Sequence, residues 1–491
     1  MKRNIKRRDF LKTASLAAAA AVLPRSACAA DKPSRPNIVF INMDDLGWKD
    51  VAFMGSKFYE TPNIDKLASE GMIFTNAYSN AANCAPSRAC VMSGQYGPRH
   101  GVYTVASSAR GNSKTRKLIP IKNRTDLPDD NVTLAEALKP AGYRTATMGK
   151  WHLGKDPKTQ GFDVNVAGGT AGSPRSYFSP YRNKTLSDGP KGEHLPYRLT
   201  TEAIKFVEAN KARPFFLYLP YFSVHTPIQA PKDITAKYKA KGPAGGQGHA
   251  TYAAMIESAD TNIGRLMKKI DALGLRENTI VVFTSDNGGI VKISSQAPAR
   301  AGKGSYYDGG IREPLIVRWP AKIKAGAKCD TPVIGIDFYP TFLEATGAKK
   351  PEGKLLDGVS LMPLLTQTGE LKDRALFWHF PIYLQSYSGA DEARDPLFRT
   401  RPGCVVRVGD WKLHEYFEDG GLELYNLKDD LGERNNLAGK MPDKTKELHA
   451  IMLRWRKETK APVPTEKNPQ YDPNYKPGAG KPKRRKGRKS E

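Results

Sequence analysis

The stretch RPNIVFINMDDLGW, residues 35–48, decides the fold. Its apolar run, Ile38 to Ile41, reads as a short buried strand, and the chain then turns through the adjacent carboxylates Asp44 and Asp45. The same grammar recurs downstream. RPFFLYLPYFSVHTP, residues 213–227, is an apolar strand that ends in His225-Thr226-Pro227. TLAEALKPAGYRTATMGKWHLG, residues 133–154, reads as helix, glycine stop, strand and loop, the loop carrying Lys150 and His152. YAAMIESADTNIGRLMKKIDALGL, residues 252–275, has a helical apolar period and feeds NTIVVFTSDNGG, a strand closing on Asp286-Asn287-Gly288-Gly289. Helices alternating with β-branched apolar strands predict an α/β fold with a largely parallel sheet covered on both faces. Polar residues gathered just past the strands then sit at the carboxyl edge, where open α/β sheets build their sites.

Further along, IREPLIVRWP (311–320) and IDFYPTFLEATG (336–347) look like one more strand and helix of the same domain. After about Pro381 the composition shifts. GCVVRVGDWKLHEYFEDGGLELYNLKDD, residues 403–430, alternates and turns as a small antiparallel sheet does. KTKELHAIMLRWRKET, residues 444–459, reads as a closing helix, and the Pro-, Lys-, Arg- and Gly-rich chain from about Pro462 reads as disordered. The 491 residues exceed one ordinary core, so a large domain with a smaller one is the default. No apolar run reaches about 18 residues, which argues against a membrane span in the mature protein.

Residues 1–30 read as a targeting segment. KRRDFLK, Lys6 to Lys12, places twin arginines before Phe-Leu-Lys; an apolar stretch from Ala14 to Leu23 and the small-residue site ACAA follow. This is the pattern of a twin-arginine signal cleaved after Ala29 or Ala30, with the mature protein periplasmic or secreted. The apolar run is short for a membrane anchor, and Arg25-Ser26-Ala27 before Cys28 is no lipobox. Of the formal charge of +27, the first thirty residues carry +6 and residues 476–491 carry +7, leaving +14 on the body. That excess either favours anionic partners, for an exported protein sulfated or carboxylated polymers before nucleic acid, or simply serves solubility. The basic tail KPKRRKGRK lacks interleaved aromatics and any nucleic-acid-binding module. Once Cys28 leaves with the signal, Cys84, Cys90, Cys329 and Cys404 remain, too few for a disulfide scaffold.

Three groups of residues carry chemistry. Asp44, Asp45, Asp286 and Asn287 all follow apolar strands, and together form a hard oxygen set suited to calcium or magnesium rather than zinc. Taken singly, each pair is more often a turn former or helix cap. Lys150, His152, His225 and Lys303, the last in the glycine-rich RAGKGSYYDGGIREP (300–314), offer two imidazoles and two ammoniums to an anion held by such a metal. Then comes NCAPSRACVMSG, residues 83–94. Pro86 favours the first turn of a helix, which puts Cys84 at the helix amino end, where amides and dipole favour negative charge. Arg88 falls on the same face one turn on. A bare thiol there could be a low-pKa nucleophile.

CAPSR resembles the C-x-P-x-R signature of the type I, formylglycine-dependent sulfatases, and GYRTATMGKWHLG (142–154) resembles their second signature, G-Y-x-T-x-x-x-G-K-W-H. The strand with its Asp pair, the His-Thr-Pro segment, the Asp-Asn-Gly-Gly turn and the Lys303 loop fall in the family's order, from about Arg35 to about Leu437. One departure is conservative: Cys90-Val91-Met92-Ser93-Gly94 stands where the family often has x-Leu-Leu-Thr-Gly.

The resemblance implies an alkaline phosphatase-like α/β/α sandwich with a large mixed, mainly parallel sheet. A catalytic domain would span 35–385, a C-terminal subdomain with an antiparallel sheet and a helix 386–461, and a basic disordered tail 462–491. It implies that a maturation enzyme oxidises Cys84 to Cα-formylglycine and that Asp44, Asp45, Asp286, Asn287 and the modified Cys84 ligate calcium. The hydrated aldehyde would attack sulfur, its charge and the ester's screened by calcium, Arg88, Lys150 and Lys303. His225, with Lys303, would protonate the leaving alcohol, and His152 would assist the expulsion of sulfate. The substrate implied is a sulfated sugar or polysaccharide by preference, galactose-type among the candidates, or an aryl sulfate. SPYRNKTLSDGPKGEHLPYRLTTEAI (179–204) resembles a segment of bacterial carbohydrate sulfatases, and Arg175, Arg182 and His194 are candidates for the sugar subsite. A phosphatase or phosphonate monoester hydrolase on the same scaffold, or a non-catalytic binder of anionic polysaccharide, are the other readings.

Overall fold

The computed structural model describes residues 35–387 and 392–476. The twin-arginine segment and residues 477–491 lie outside the described residues.

The described residues from Pro36 on form one compact unit. Its frame is a nine-stranded sheet made of β1 (Asn37–Met43), β2 (Met72–Tyr78), β3 (Arg144–Met148), β4 (Val164–Val166), β5 (Phe215–Pro220), β6 (Thr279–Ser285), β7 (Arg312–Arg318), β8 (Ala327–Cys329) and β9 (Val333–Ile334). The strand order is β4-β3-β5-β1-β6-β7-β2-β8, with β9 also on β2. β1 is central and parallel to both β5 and β6, and β3 is parallel to β4 and β5. β7 runs antiparallel to both of its neighbours. The reason lies in its connection: the long segment from β6 to β7 carries only the four-residue helical turn Asp308–Ile311 and no crossover helix, so the chain re-enters the sheet from the carboxyl edge. That same segment carries Lys303.

Every residue of β1, β5 and β6 is buried, because both faces are covered. Val39, Ile41 and Met43 point to one face, under α1 (Pro62–Glu70), α3 (Leu195–Asn210) and α4 (Ala250–Ala272). Ile38 and Phe40 point to the other, under α2 (Cys84–Ser93) and α5 (Phe338–Thr346). The α/β/α sandwich expected from the alternation is therefore the one formed. Among the described residues no helix is long and apolar enough to cross a membrane.

A second, four-stranded antiparallel sheet, β10 (Ala375–Phe380), β13 (Gly403–Val408), β14 (Trp411–Tyr416) and β15 (Leu422–Asn426), packs against α6 (Pro442–Thr459). Trp455 stacks on Phe377 with ring centroids 4.5 Å apart. The sheet begins ten residues before the expected 385/386 boundary, since the apolar run of β10 does not differ in pattern from a core strand of the large sheet. Between β10 and β13, β11 (Leu384–Gln385) and β12 (Phe398–Thr400) pair as a small ribbon. The disordered tail expected from Pro462 is corrected for residues 462–476. Leu118 and Lys467 form a β-bridge, Ile119 N donates to Glu466 O at 2.9 Å, and Asn468 N donates to Lys117 O at 2.9 Å. Backbone pairing with the 113–121 segment, invisible in composition, orders this part of the tail.

Candidate active site

All the strand-end residues singled out in the sequence converge at the carboxyl edge. Asp44 and Asp45 follow β1, Lys150 and His152 follow β3, His225 follows β5, and Asp286 and Asn287 follow β6. Short backbone bonds lock these turns together. Asp44 N donates to Ser223 O at 2.8 Å, Lys150 N to Pro220 O at 2.7 Å, and Asp286 N to Met43 O at 3.1 Å. Asp45 and His152 adopt left-handed backbone (φ 63° and 62°), uncommon for residues with a Cβ and held here by the neighbouring strands. Cys84 is the first residue of α2, following an extended Asn83, as Pro86 predicts. The Lys303 loop is docked by Lys303 N on Gly289 O and Gly304 N on Ala82 O, each at 2.8 Å, so it closes over Cys84.

The side chains form a dense alternation of charge. Arg88 approaches Asp286 Oδ2 with Nε at 2.8 Å and Nη2 at 2.7 Å, both residues fully buried. Lys150 Nζ lies 2.7 Å from Asp44 Oδ2, and Lys303 Nζ lies 2.6 Å from Asp45 Oδ1. Cys84 Sγ is 3.5 Å from His152 Nδ1. His225 Nδ1 meets Thr226 O at 2.8 Å, which makes Nδ1 the protonated nitrogen and turns Nε2 toward Asp45, 3.7 Å from Oδ2.

Burial and neighbours set the protonation. Burial raises the Cys84 thiol, but Lys150 and Lys303 outweigh it and hold the thiol below its ordinary value. Burial pushes Asp44 up to about 6 despite Lys150. Asp45 is also buried, yet Lys303, His225 and Lys150 together hold it well below the carboxylate range. His152 is pushed down to about 3 by burial and then by Lys150 and Arg88. His225 is pushed down to about 4 by burial and by Lys303, with Asp45 opposing.

Oxygen atoms of Asp44 and Asp286 lie within 4.8 Å of one another and of Cys84 Sγ, and Asp44, Asp45 and His225 form a second such group. Two acceptors aimed into this cluster have no hydrogen-bond donor: Asp44 Oδ1 and Asn287 Oδ1, both buried. Asn287 Nδ2 donates to Asp45 Oδ1 at 2.9 Å, which fixes the amide so that Oδ1 is its free end. Unpaired buried oxygens beside three carboxylates fit a hard divalent cation.

Arg175 and Arg182 line a cavity of about 470 Å³ next to the site. His194 does not line it. It is buried, with Nδ1 2.8 Å from Ser258 Oγ and Nε2 3.4 Å from Gln229 O, and it precedes α3 as a packing residue. Sequence reasoning also passed over residues that position the site. Tyr177 OH donates to Phe222 O at 2.5 Å and His225 O at 2.8 Å, fixing the His225 turn. From β12, Arg399 Nη1 donates to Lys303 O at 3.0 Å, and Thr400 Oγ1 donates to Gly304 O. No local pattern signals a side chain that serves a distant carbonyl.

Residues 36–348, which hold the large sheet and its carboxyl edge, match the sulfatase family. The chain belongs to the sulfatase family. Residues 302–458 of this sulfatase match the C-terminal part of N-sulphoglucosamine sulphohydrolases, and residues 4–24 match the twin-arginine signal sequence. The sulfatase is 36% identical to a sulfatase of Formosa agariphila over 84% of its own chain and 86% of the relative. It is 34% identical to the N-acetylgalactosamine-6-sulfatase of Mus musculus, over 84% and 78% of the two chains. Among solved structures, Ps i-CgsB in complex with k-i-k-neocarrahexaose has a TM-score of 0.71 and 30% identity, covering 86% of this chain and 93% of that one. The sulfatase is thus a sulfuric ester hydrolase, exported by the twin-arginine pathway to the periplasm or beyond.

Proposed function

We propose that this sulfatase removes sulfate from a sulfated carbohydrate, galactose-type by preference, with Cys84 converted to Cα-formylglycine and calcium bound by Asp44, Asp45, Asp286, Asn287 and the converted Cys84. One observation carries the reading. Cys84 stands at the helix start facing His152, between Lys150 and Lys303, beside buried oxygens of Asp44 and Asn287 that have no donor. The substrate class rests on likeness: relatives named for N-acetylgalactosamine sulfate and a neighbour complexed with a neocarrahexaose.

Formylglycine supplies a hydrated aldehyde, and calcium lowers the charge barrier to its reaction with an anionic ester. This chain's residues do the rest. Arg88, Lys150 and Lys303 screen the sulfate oxygens, and none needs to move far, because each is already held at the acidic cluster. Lys303, held as an ammonium beside His225, supplies the proton that reaches the leaving oxygen, with the unprotonated Nε2 of His225 as its relay, a role worth about 10²–10⁴-fold. His152, next to Cys84, takes the proton that must leave when sulfate is expelled and the aldehyde returns. A thiol or serine has no second hydroxyl for that step, so Cys84 serves as a precursor.

The test is the mass of the Cys84 peptide from protein purified from its native host, with sulfate and phosphate release followed on matched sugar and aryl esters. A peptide lighter than unmodified cysteine, with sulfate released from a sugar ester, is expected. An alkylatable Cys84 in folded, active protein would overturn the formylglycine reading. Release of phosphate in preference to sulfate would overturn the ester assignment.

A further inference from the structure

We infer that the cavity walled by residues 167–185 is a second anion subsite, taking a sulfate or carboxylate on the sugar next to the one that reacts. The inference rests on the sulfated-carbohydrate reading above.

Four basic residues, Lys155, Arg175, Arg182 and Lys184, line this cavity of about 470 Å³, and no aspartate or glutamate does. Among the described residues none of the four makes a side-chain hydrogen bond or ion pair. Some basic residues elsewhere are paired instead: Arg198 with Glu193 and Glu202, and Lys139 and Arg144 with Asp163. A second cavity shares Lys155 with the first, but there Arg124 is offset by Asp126, Asp129 and Asp156. What distinguishes this cavity is that its four basic residues share a lining with no acidic residue. A concavity holding four like charges without counter-ions concentrates anions.

Its shape suits a sugar ring. Buried Phe222, Leu195 and Tyr181 supply an apolar floor for C–H faces. The size lies within the roughly 300–1,000 Å³ of small-molecule sites. It also abuts the reaction centre. His152 N donates to Gly169 O at 2.9 Å, Gly172 lies so close over the His152 imidazole that a Cβ there would sit 2.6 Å from Cε1, and Phe222 precedes His225 by one turn. A disaccharide can therefore present its ester at Cys84 and its neighbour in the cavity.

The wall is built to hold its cations. Asn183 Nδ2 donates to Ala167 O at 3.1 Å, Thr185 Oγ1 to Gly168 O at 3.2 Å, and Ala167 N to Thr185 O at 3.3 Å. Arg182 enters this turn in left-handed backbone, φ 52°, a conformation uncommon for a side chain of its size.

The experiment uses the full-length, matured, calcium-loaded enzyme and sulfated galactose disaccharides whose neighbouring sugar is neutral, sulfated or a uronate. In the native enzyme, kcat/KM with a charged neighbour is expected to exceed that with a neutral one by about tenfold or more, equivalent to about 1.4 kcal/mol, mainly through KM. The sulfate and uronate arms identify the anion preferred. The ratio should fall toward unity in R175A/R182A, and independently in K155A/K184A, and should shrink with added salt in the native enzyme. A ratio near unity in native enzyme, or one that both variants leave unaltered, overturns the subsite. If an aryl sulfate is hydrolysed and no disaccharide is, the carbohydrate reading fails. The subsite is then decided by calorimetric binding of the same three disaccharides to C84A, where equal affinities overturn it and tighter binding of the charged pair upholds it.

Discussion

Arg88 donates Nε–H to Asp286 Oδ2 at 2.8 Å in a fully buried ion pair, with Nη2 2.7 Å from the same oxygen, and its Nη1 donates to the Lys150 carbonyl at 2.9 Å. It therefore joins α2, β3 and β6 at their functional ends. Arg88→Ala strands the Asp286 carboxylate, and a loss of about 3–5 kcal/mol is expected from urea unfolding. Arg88→Lys should recover part of that stability but cannot reach Asp286 Oδ2 and the Lys150 carbonyl from one rigid plane as the guanidinium does. The donorless Asp44 Oδ1 and Asn287 Oδ1 carry a second prediction. Added calcium should raise the melting temperature, by about 2.7 kcal/mol of stabilisation at a hundred times its Kd, and Asp44→Asn should abolish most of the shift in a calcium titration followed by thermal unfolding. Absence of any calcium shift in the native protein would count against this ligand set. These residues were legible because each stands just past an apolar strand or helix start, so local pattern located it. His194 was not: a histidine between a turn and a helix reads alike whether it faces a cavity or, as here, Ser258.

The strand ends do their work only because the turns between elements allow close approach. Gly149, in the turn from β3 to Lys150, has φ 130°, and a Cβ there would fall 1.9 Å from Pro220 O. That carbonyl is also the acceptor for Lys150 N. Gly149→Ala must push β3 and β5 apart at their carboxyl ends. A destabilisation of at least about 2 kcal/mol is expected in denaturant unfolding, together with a loss of activity larger than the stability change explains. Strands and helices were legible from apolar period, and the burial of β1, β5 and β6 on both faces follows from their unbroken apolar runs. The direction of β7 was not, because strand polarity is decided by how the chain returns to the sheet. Nor was the role of β10, which takes its place in the small sheet by pairing with β13, a partner some thirty residues away.

Across the whole molecule, the C-terminal part acts as a brace. His379 on β10 meets Pro462 O through Nε2 at 2.8 Å, while its buried Nδ1 has no partner. Burial, with Arg456 adding, holds this imidazole down at about 4 against an ordinary 6.5, although the Pro462 carbonyl opposes the shift. Between those values the unfolded chain binds the proton and the folded one refuses it. The contribution is thus complete above the unfolded pKa and declines as pH falls through the window toward about 4. Between about pH 8 and about pH 5 the native protein should lose about 2 kcal/mol more than His379→Gln, which keeps a donor for Pro462 without titrating. Urea midpoints at the two pH values measure it, and equal losses would show that the imidazole is solvated. Composition announced the basic charge of the tail but not the pairing of residues 462–476 with 113–121, since a backbone ladder needs no particular side chain. The same brace bears on the order of biosynthetic events. Cys84 is only 2% exposed, and the loop above it is held from β12 by Arg399 and Thr400, so the lid over the cysteine is finished only when residue 400 has been made. At about 5–20 residues per second, translation leaves roughly 15 to 60 s between the emergence of Cys84 and that of its cover. On the proposed reading the oxidation of Cys84 would fall in that interval, before the twin-arginine pathway receives a closed molecule, and a chain that folded ahead of its maturation enzyme would keep the thiol.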